Sequence, residues 1–183
     1  VGFEMIVPTL VAEAERLGII KQQGDSILGR LAKMRAEKVG RLKGRRINKY
    51  MTAAFSAEMA GKDGIEKLLD VESLQERNGS VGHSQSASAY YATFIHQSDS
   101  DSLEYLHTTI TSEGGMCNLY PFDIYERAWV LWNLLLASPL DETTSALIQP
   151  HLDFLETAWK PGRGVGFSIE YTPFDGDDTS IAF

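Results

Sequence analysis

A single cysteine, Cys117, excludes an internal disulfide and suits a reducing compartment, so a cytoplasmic location is expected. The longest apolar runs, such as 128–137, are too short and too interrupted to span a bilayer. Signal and transit peptides are not legible. The chain begins without Met and stops inside a developing helix, which predicts a piece of a longer protein. Alternating strand patterns are scarce, which excludes an all-β architecture. Basic residues are the minority, 17 against 25 acidic, for a net charge of −8. That balance argues against a general affinity for nucleic acid or anionic membranes. The four histidines, His83, His96, His107 and His151, show no metal-ligand spacing.

What is present is helical. With 183 residues, 43% apolar and 23% charged, the chain can bury a core as one ordinary domain or two small ones. Apolar positions recur at helical spacing almost throughout. The pattern predicts a short helix over 9–17 after Pro8, with Leu10, Val11 and Ala14 on one side. Ser26 can cap a second, with Ile27, Leu28, Leu31 and Met34 inward. Further helices are predicted over 50–60, 64–75, 86–96 and 101–112. Pro121 suits the first turn of a strong helix through Ala137, whose inner face carries Ile124, Ala128, Leu131, Leu134 and Leu135. Asp141 can cap the next segment, which Pro150 should break or kink. The aromatic set Phe122, Tyr125, Trp129, Trp132 and Trp159 reads most economically as core, though such rings can also line a carbocation pocket.

Three stretches could carry chemistry. The last ten residues, "FDGDDTSIAF", crowd Asp175, Asp177 and Asp178 into four positions. An acidic helix cap explains them, because helix N–H groups and the dipole attract negative charge. A tuned acid explains them as well, since crowded carboxylates cannot all ionise cheaply and titrate as a unit. An EF-hand is rejected, because Thr179 and Ser180 occupy positions that require other residues. The stretch from Lys33 to Lys49 holds eight of the 17 basic residues and is either a solvated face or an anion site. "GRGVG" at 162–166 lacks the strand and lysine of a phosphate loop and reads as a turn. Asn78-Gly79-Ser80 matches a glycosylation acceptor by accident.

Several segments, in order, resemble the class II diterpene cyclases, the copalyl diphosphate synthases in particular. "VGFEMIVPTL" resembles that family's Val-Gly-Phe-Glu…Pro-x-Leu, and "GIEKLL…LQERNGSVGHSQSASAYYAT" its Glu-Lys-Leu-Leu…Gly-Ser…Ser-Pro-Ser-x-Thr-Ala stretch. Gln85 and Ser88 depart from the usual Pro and Thr. "SLEYL" and "CNLYPFDIYERAW" have counterparts too, and "DGDDTSIAF" fits Asp-x-Asp-Asp-Thr-Ala-x-x-Phe, the DxDD motif. Divergence from the plant forms suggests a fungal-type enzyme.

The resemblance implies an all-α, double α-barrel (α/α toroid) γβ architecture of which this chain is a fragment. Residues 1–119 would be γ and 120–183 part of β, with a cyclisation cavity between the two. It implies protonation of the terminal alkene of geranylgeranyl diphosphate by Asp177, with Asp175 and Asp178 tuning it. A copalyl diphosphate would form with its diphosphate retained, an isomerase reaction. For the diphosphate the resemblance implies a lysine whose closest match is Lys38 in "AKMRAEKVG", with one residue inserted, and Arg41 or Lys43 as alternatives. A Mg2+ motif would lie just upstream of Val1, with Glu4 its nearest remnant. A prenyltransferase or class I cyclase domain could follow, and a homo-oligomer is possible. Two other readings remain open: a triterpene cyclase acting on squalene, and a helical interaction scaffold whose acidic turn is only a cap.

Overall fold

The structure, a computed structural model, describes residues 2–21, 28–137 and 140–183, and the backbone alone of 25–27. Its backbone divides into two units, Val1–Asn118 and Leu119–Phe183, each with its own core. Among the described residues there are helices and isolated β-bridges but no strand.

In the first unit, helix α1 spans Phe3–Arg16 and contains Pro8, so it starts six residues before its expected beginning. Proline removes one helical N–H. Starting early nevertheless buries Met5 and packs Ile6 on the core, which offsets that loss. Leu10 consequently points outward, 62% exposed. Glu4 in the first turn and Arg16 in the last complement the helix dipole. Helix α2 spans Asp25–Gly40, and Met34 lies on its exposed side rather than inward. The expected Ser26 cap and inward Ile27 concern side chains outside the described residues.

A 3-10 segment, Thr52–Ala60, kinks at Ser56 and runs into α3, Gly61–Leu68. The predicted continuation to residue 75 fails because the backbone turns extended at Leu69. Ile47 instead bridges Leu69 in parallel, donating its N–H to Leu68 O at 2.7 Å and accepting from Asp70 N–H at 2.8 Å. Ser84 caps α4, Gln85–Tyr90, which continues as a π turn over Tyr91–Ile95. Asp99 caps α5, Ser100–Thr109. Gln75 donates to Asp99 Oδ2 at 2.8 Å and to Ser102 Oγ at 3.0 Å, tying the "QERNGS" loop to the start of α5. Asn78 Oδ1 accepts from the N–H and hydroxyl of Ser80, so that asparagine shapes its own turn.

The second unit carries α6 (Asp123–Ala137), α7 (Glu142–Ala158) and α8 (Gly176–Ala182). Ile124, Ala128 and Leu131 of α6 are buried with Ile148, Leu155 and Ala158 of α7 and with Val165. Leu134 and Leu135 are not part of that face; Leu135 is 54% exposed. Pro121 precedes α6 instead of forming its first turn. The N-terminus of α6 is satisfied by the chain itself: Phe167 O accepts from the N–H groups of Ile124 and Tyr125, at 3.1 and 3.0 Å. Asp141 caps α7, accepting from Thr144 N–H at 2.7 Å. Pro150 does not break α7, which passes through it. Ala146, whose carbonyl Pro150 leaves unpaired, and Pro150 itself are both exposed, so water can take the missing donor's place. Trp132 and Tyr125 are about two-fifths exposed and not core, while Trp129 and Trp159 are half-buried.

Candidate active site

The acidic turn folds because one carboxylate serves two backbone donors. Asp175 adopts an extended backbone and its Oδ1 accepts from the N–H of Asp177 at 3.0 Å and of Asp178 at 3.2 Å. Helix starts leave such N–H groups unpaired, and an Asp cap stabilises them by about 1 kcal/mol. Because Asp175 turns back over the helix start, Asp177 and Asp178 leave the turn on different sides. Asp177 is exposed, whereas Asp178 is 2% exposed and accepts a hydrogen bond from the indole N–H of Trp129 at 3.2 Å.

Three neighbouring carboxylates thus occupy three environments. Burial pushes the Asp175 carboxyl above the usual range, and hydrogen bonding to the Asp177 side chain pushes it further. Asp177, receiving that hydrogen bond, is held below its usual value. Burial also raises Asp178, against the opposing effect of the Trp129 N–H, with the charges of Asp175 and Asp177 adding to the rise. Proton affinity is therefore skewed across the pair, toward Asp175 and away from Asp177. The turn that caps α8 is thus also the one that sets these three environments.

What seats this turn is the loop at 160–166. Asp175 N–H donates to Val165 O at 3.0 Å. The Thr179 hydroxyl donates to the same carbonyl and accepts from Val165 N–H, both at 3.0 Å. Gly164 has φ +86°, and a Cβ there would lie 2.3 Å from the Thr179 side chain. "GRGVG" is therefore a turn, as expected, but one whose glycine lets α8 approach. Trp129, Val165, Gly164 and Thr179 were not singled out by sequence for this site. The long sequence separation of Trp129 from Asp178 hides their pairing, whereas a positive-φ glycine before an acidic turn was a legible cue.

In the first unit, Lys38 forms an ion pair with Glu4, joining α2 to α1. That hydrogen bond holds the Glu4 carboxyl below its usual range. Lys38 remains 42% exposed at its side chain, so its cation is shared between Glu4 and solvent. Arg41 and Lys43 follow in the exposed turn after α2. An open groove of about 710 Å³ lies further on, lined by Arg45, Arg46, Asn48, Tyr50 and Asp70 among others. The structure thus brings Asp175, Asp177 and Asp178 together in the second unit and places Lys38 in the first. Among the described residues no group of three or more His, Cys, Asp or Glu is arranged to hold a metal ion. Asp178 is turned to Trp129 and Asp175 to its own backbone, so these carboxylates do not converge as Mg2+ ligands.

No family model matches the chain. In fold it is an all-α protein of the terpene cyclase double α-barrel class. It superposes on abietadiene synthase from Abies grandis with a TM-score of 0.72 at 24% identity, covering 99% of this chain and 23% of that one. It superposes likewise on ent-copalyl diphosphate synthase from Arabidopsis thaliana, solved with (S)-15-aza-14,15-dihydrogeranylgeranyl thiolodiphosphate. There the TM-score is 0.73 at 25% identity, covering 100% of this chain and 26% of that one.

Among sequence relatives, it is 45% identical over its whole length to the type B diterpene cyclase of Mycobacterium tuberculosis, and covers 37% of that protein. It is 30% identical to ent-copalyl diphosphate synthase 2 of Isodon eriocalyx, covering 22% of it. The chain therefore spans little more than a third of the bacterial relative and about a fifth of the plant one. No helix is long and apolar enough to cross a membrane among the described residues.

Proposed function

We propose that this chain carries the protonating acid of a class II diterpene cyclase that makes copalyl diphosphate from geranylgeranyl diphosphate. The observation that carries this reading is the Asp175–Asp177 pair at one helix start: Asp175 is half-buried with its proton affinity raised, and Asp177 is exposed with its own lowered. An alkene is a very weak base, so its protonation requires a carboxylic acid kept protonated in a site that can exclude water. Asp175 stores the proton, and it passes along the hydrogen bond to Asp177, the outward carboxyl, which delivers it to the terminal alkene. The alkene electron pair takes the proton and leaves a tertiary cation. Two ring closures follow, each consuming one further double bond, and loss of a proton from carbon gives the bicyclic product. The diphosphate is untouched, so the reaction is an isomerisation.

Under this reading residues 1–119 are γ and 120–183 belong to β, and Lys38 attracts the diphosphate. Mg2+ is the natural counter-ion of that diphosphate, but no step is assigned to it, because the described residues do not converge on an ion. The reading extends to a cytoplasmic enzyme that does not bind nucleic acid. It also extends to the fungal-type kinship, although the relatives reported above come from a bacterium and from plants. A further class I or prenyltransferase domain, and a homo-oligomer, are compatible with it.

Product analysis tests the proposal. The full-length protein, supplied with geranylgeranyl diphosphate and with squalene in separate reactions, should convert only the first, to copalyl diphosphate. Turnover of squalene alone would replace the proposal with a triterpene cyclase.

A further inference from the structure

Asp178 is the most buried charge-bearing group of the second unit, at 2% exposed. A carboxylate so placed is costly unless it is hydrogen-bonded. On its own turn it faces only the like charges of Asp175 and Asp177. Of the second unit's three cations, two are engaged elsewhere. Arg127 of α6 donates to Asp123 O at 2.6 Å and lies 4.1 Å from the Phe154 ring centroid, and Arg163 of the loop lies over Phe174. Among the described residues no cation forms an ion pair with Asp178. Its side-chain partner is the indole N–H of Trp129, a half-buried residue of α6 that lies 49 positions away in sequence.

We propose that Trp129 is a positioning residue for the acid: its N–H holds Asp178 ionised and fixed, so that Asp178 in turn keeps the proton on the Asp175–Asp177 pair. This rests on the acid-catalysis reading above. An anion beside the pair raises the pair's proton affinity, and a neutral Asp178 would not. Burial alone drives Asp178 toward its neutral form, and the Trp129 N–H opposes that drive. Asp178 N–H also donates to Asp175, so the same residue links the indole to the proton carrier. Trp129 touches no reacting atom in this scheme.

The test uses the full-length protein and its Trp129→Phe variant, which keeps an aromatic ring and removes the donor. Carbon-13 NMR titration of the Asp178 carboxyl should show a higher pKa in the variant. The acid limb of the kcat–pH profile should move to higher pH by about one unit, the usual scale for losing a hydrogen bond to a charged group, so that kcat on that limb falls about tenfold. KM for geranylgeranyl diphosphate should not change. An Asp178 titration identical in both proteins overturns the proposal, whatever happens to kcat. Should the variant not fold, the unaltered protein still decides. The Trp129 indole N–H resonance should follow the Asp178 titration and cease to do so in Asp178→Asn, and a resonance indifferent to pH overturns the proposal. An Asp178 shift in an enzyme whose cyclisation does not need Asp177 would retain the positioning role and remove the acid-catalysis reading alone.

Discussion

Thr179 and Val165 are joined by two hydrogen bonds that share one hydroxyl, the Thr179 Oγ1 giving to Val165 O and receiving from Val165 N–H, both at 3.0 Å. This places the acidic turn, because the same Val165 carbonyl also accepts from Asp175 N–H. Replacing Thr179 by Val keeps the shape and removes both bonds, leaving the buried Val165 N–H without its partner while the carbonyl keeps the Asp175 N–H. The expected loss is about 1–3 kcal/mol in denaturant unfolding, together with reduced turnover. Thr179→Ser, which keeps the hydroxyl, should lose under about 1 kcal/mol. Equal stability of the Val variant and the parent would contradict the seating role.

Two glycines near the site should respond in opposite directions. Gly164→Ala is both strained at φ +86° and blocked by Thr179, so it should destabilise by roughly 1–3 kcal/mol. Gly176 has no such φ and nothing within 4 Å of a Cβ, and it opens α8. Gly176→Ala should therefore be neutral or stabilising, up to about 1 kcal/mol. Thermal unfolding of the two variants measures the contrast.

Lys38 and Glu4 separate a binding role from a structural one. If Lys38 meets the diphosphate, Lys38→Ala raises KM severalfold, whereas Glu4→Gln frees the cation and leaves KM unchanged or lower. Steady-state kinetics with geranylgeranyl diphosphate distinguish these outcomes. Should both variants leave KM as it was, Lys38 is only the partner that joins α2 to α1.

Burial of Asp178 sets a pH dependence of known sign. Its folded-state pKa is raised, so the folded chain binds that proton more tightly than the unfolded chain does, although the carboxyl is ionised at neutral pH under the proposal above. The stability this contributes is present at low pH and is lost as pH rises through the folded value. Asp178→Asn removes the charge and keeps an acceptor for Trp129. Its melting temperature should exceed that of the parent at neutral pH, with the gap closing on acidification, while turnover falls. A gap independent of pH would mean that Asp178 is not the titrating group.

The helical class was legible because apolar spacing is a local signal, and so was the cap at Asp141, whereas the cap at Asp99 was not singled out. Boundaries were lost where tertiary packing outweighed local rules. Pro8 sits inside α1 because burying Met5 and Ile6 favours an early start, and residues 69–75 leave the helix because Ile47 pairs with Leu69 and Asp70. The outward Leu135 shows that an apolar stripe does not by itself reveal how much of it a neighbour covers. Of the site, the three Asp residues could be read from their crowding. Their differing environments could not, because these depend on Trp129 and Val165, which only the fold brings to the turn.

The most direct test of the acid is Asp177→Asn in the full-length protein, which keeps the shape of the outward carboxyl and removes its ability to deliver a proton. Single-turnover conversion of geranylgeranyl diphosphate should fall by at least about 10³-fold, with unfolding and substrate affinity unchanged, since the reaction has no other route to its first cation. Formation of copalyl diphosphate at the parent rate would contradict the account.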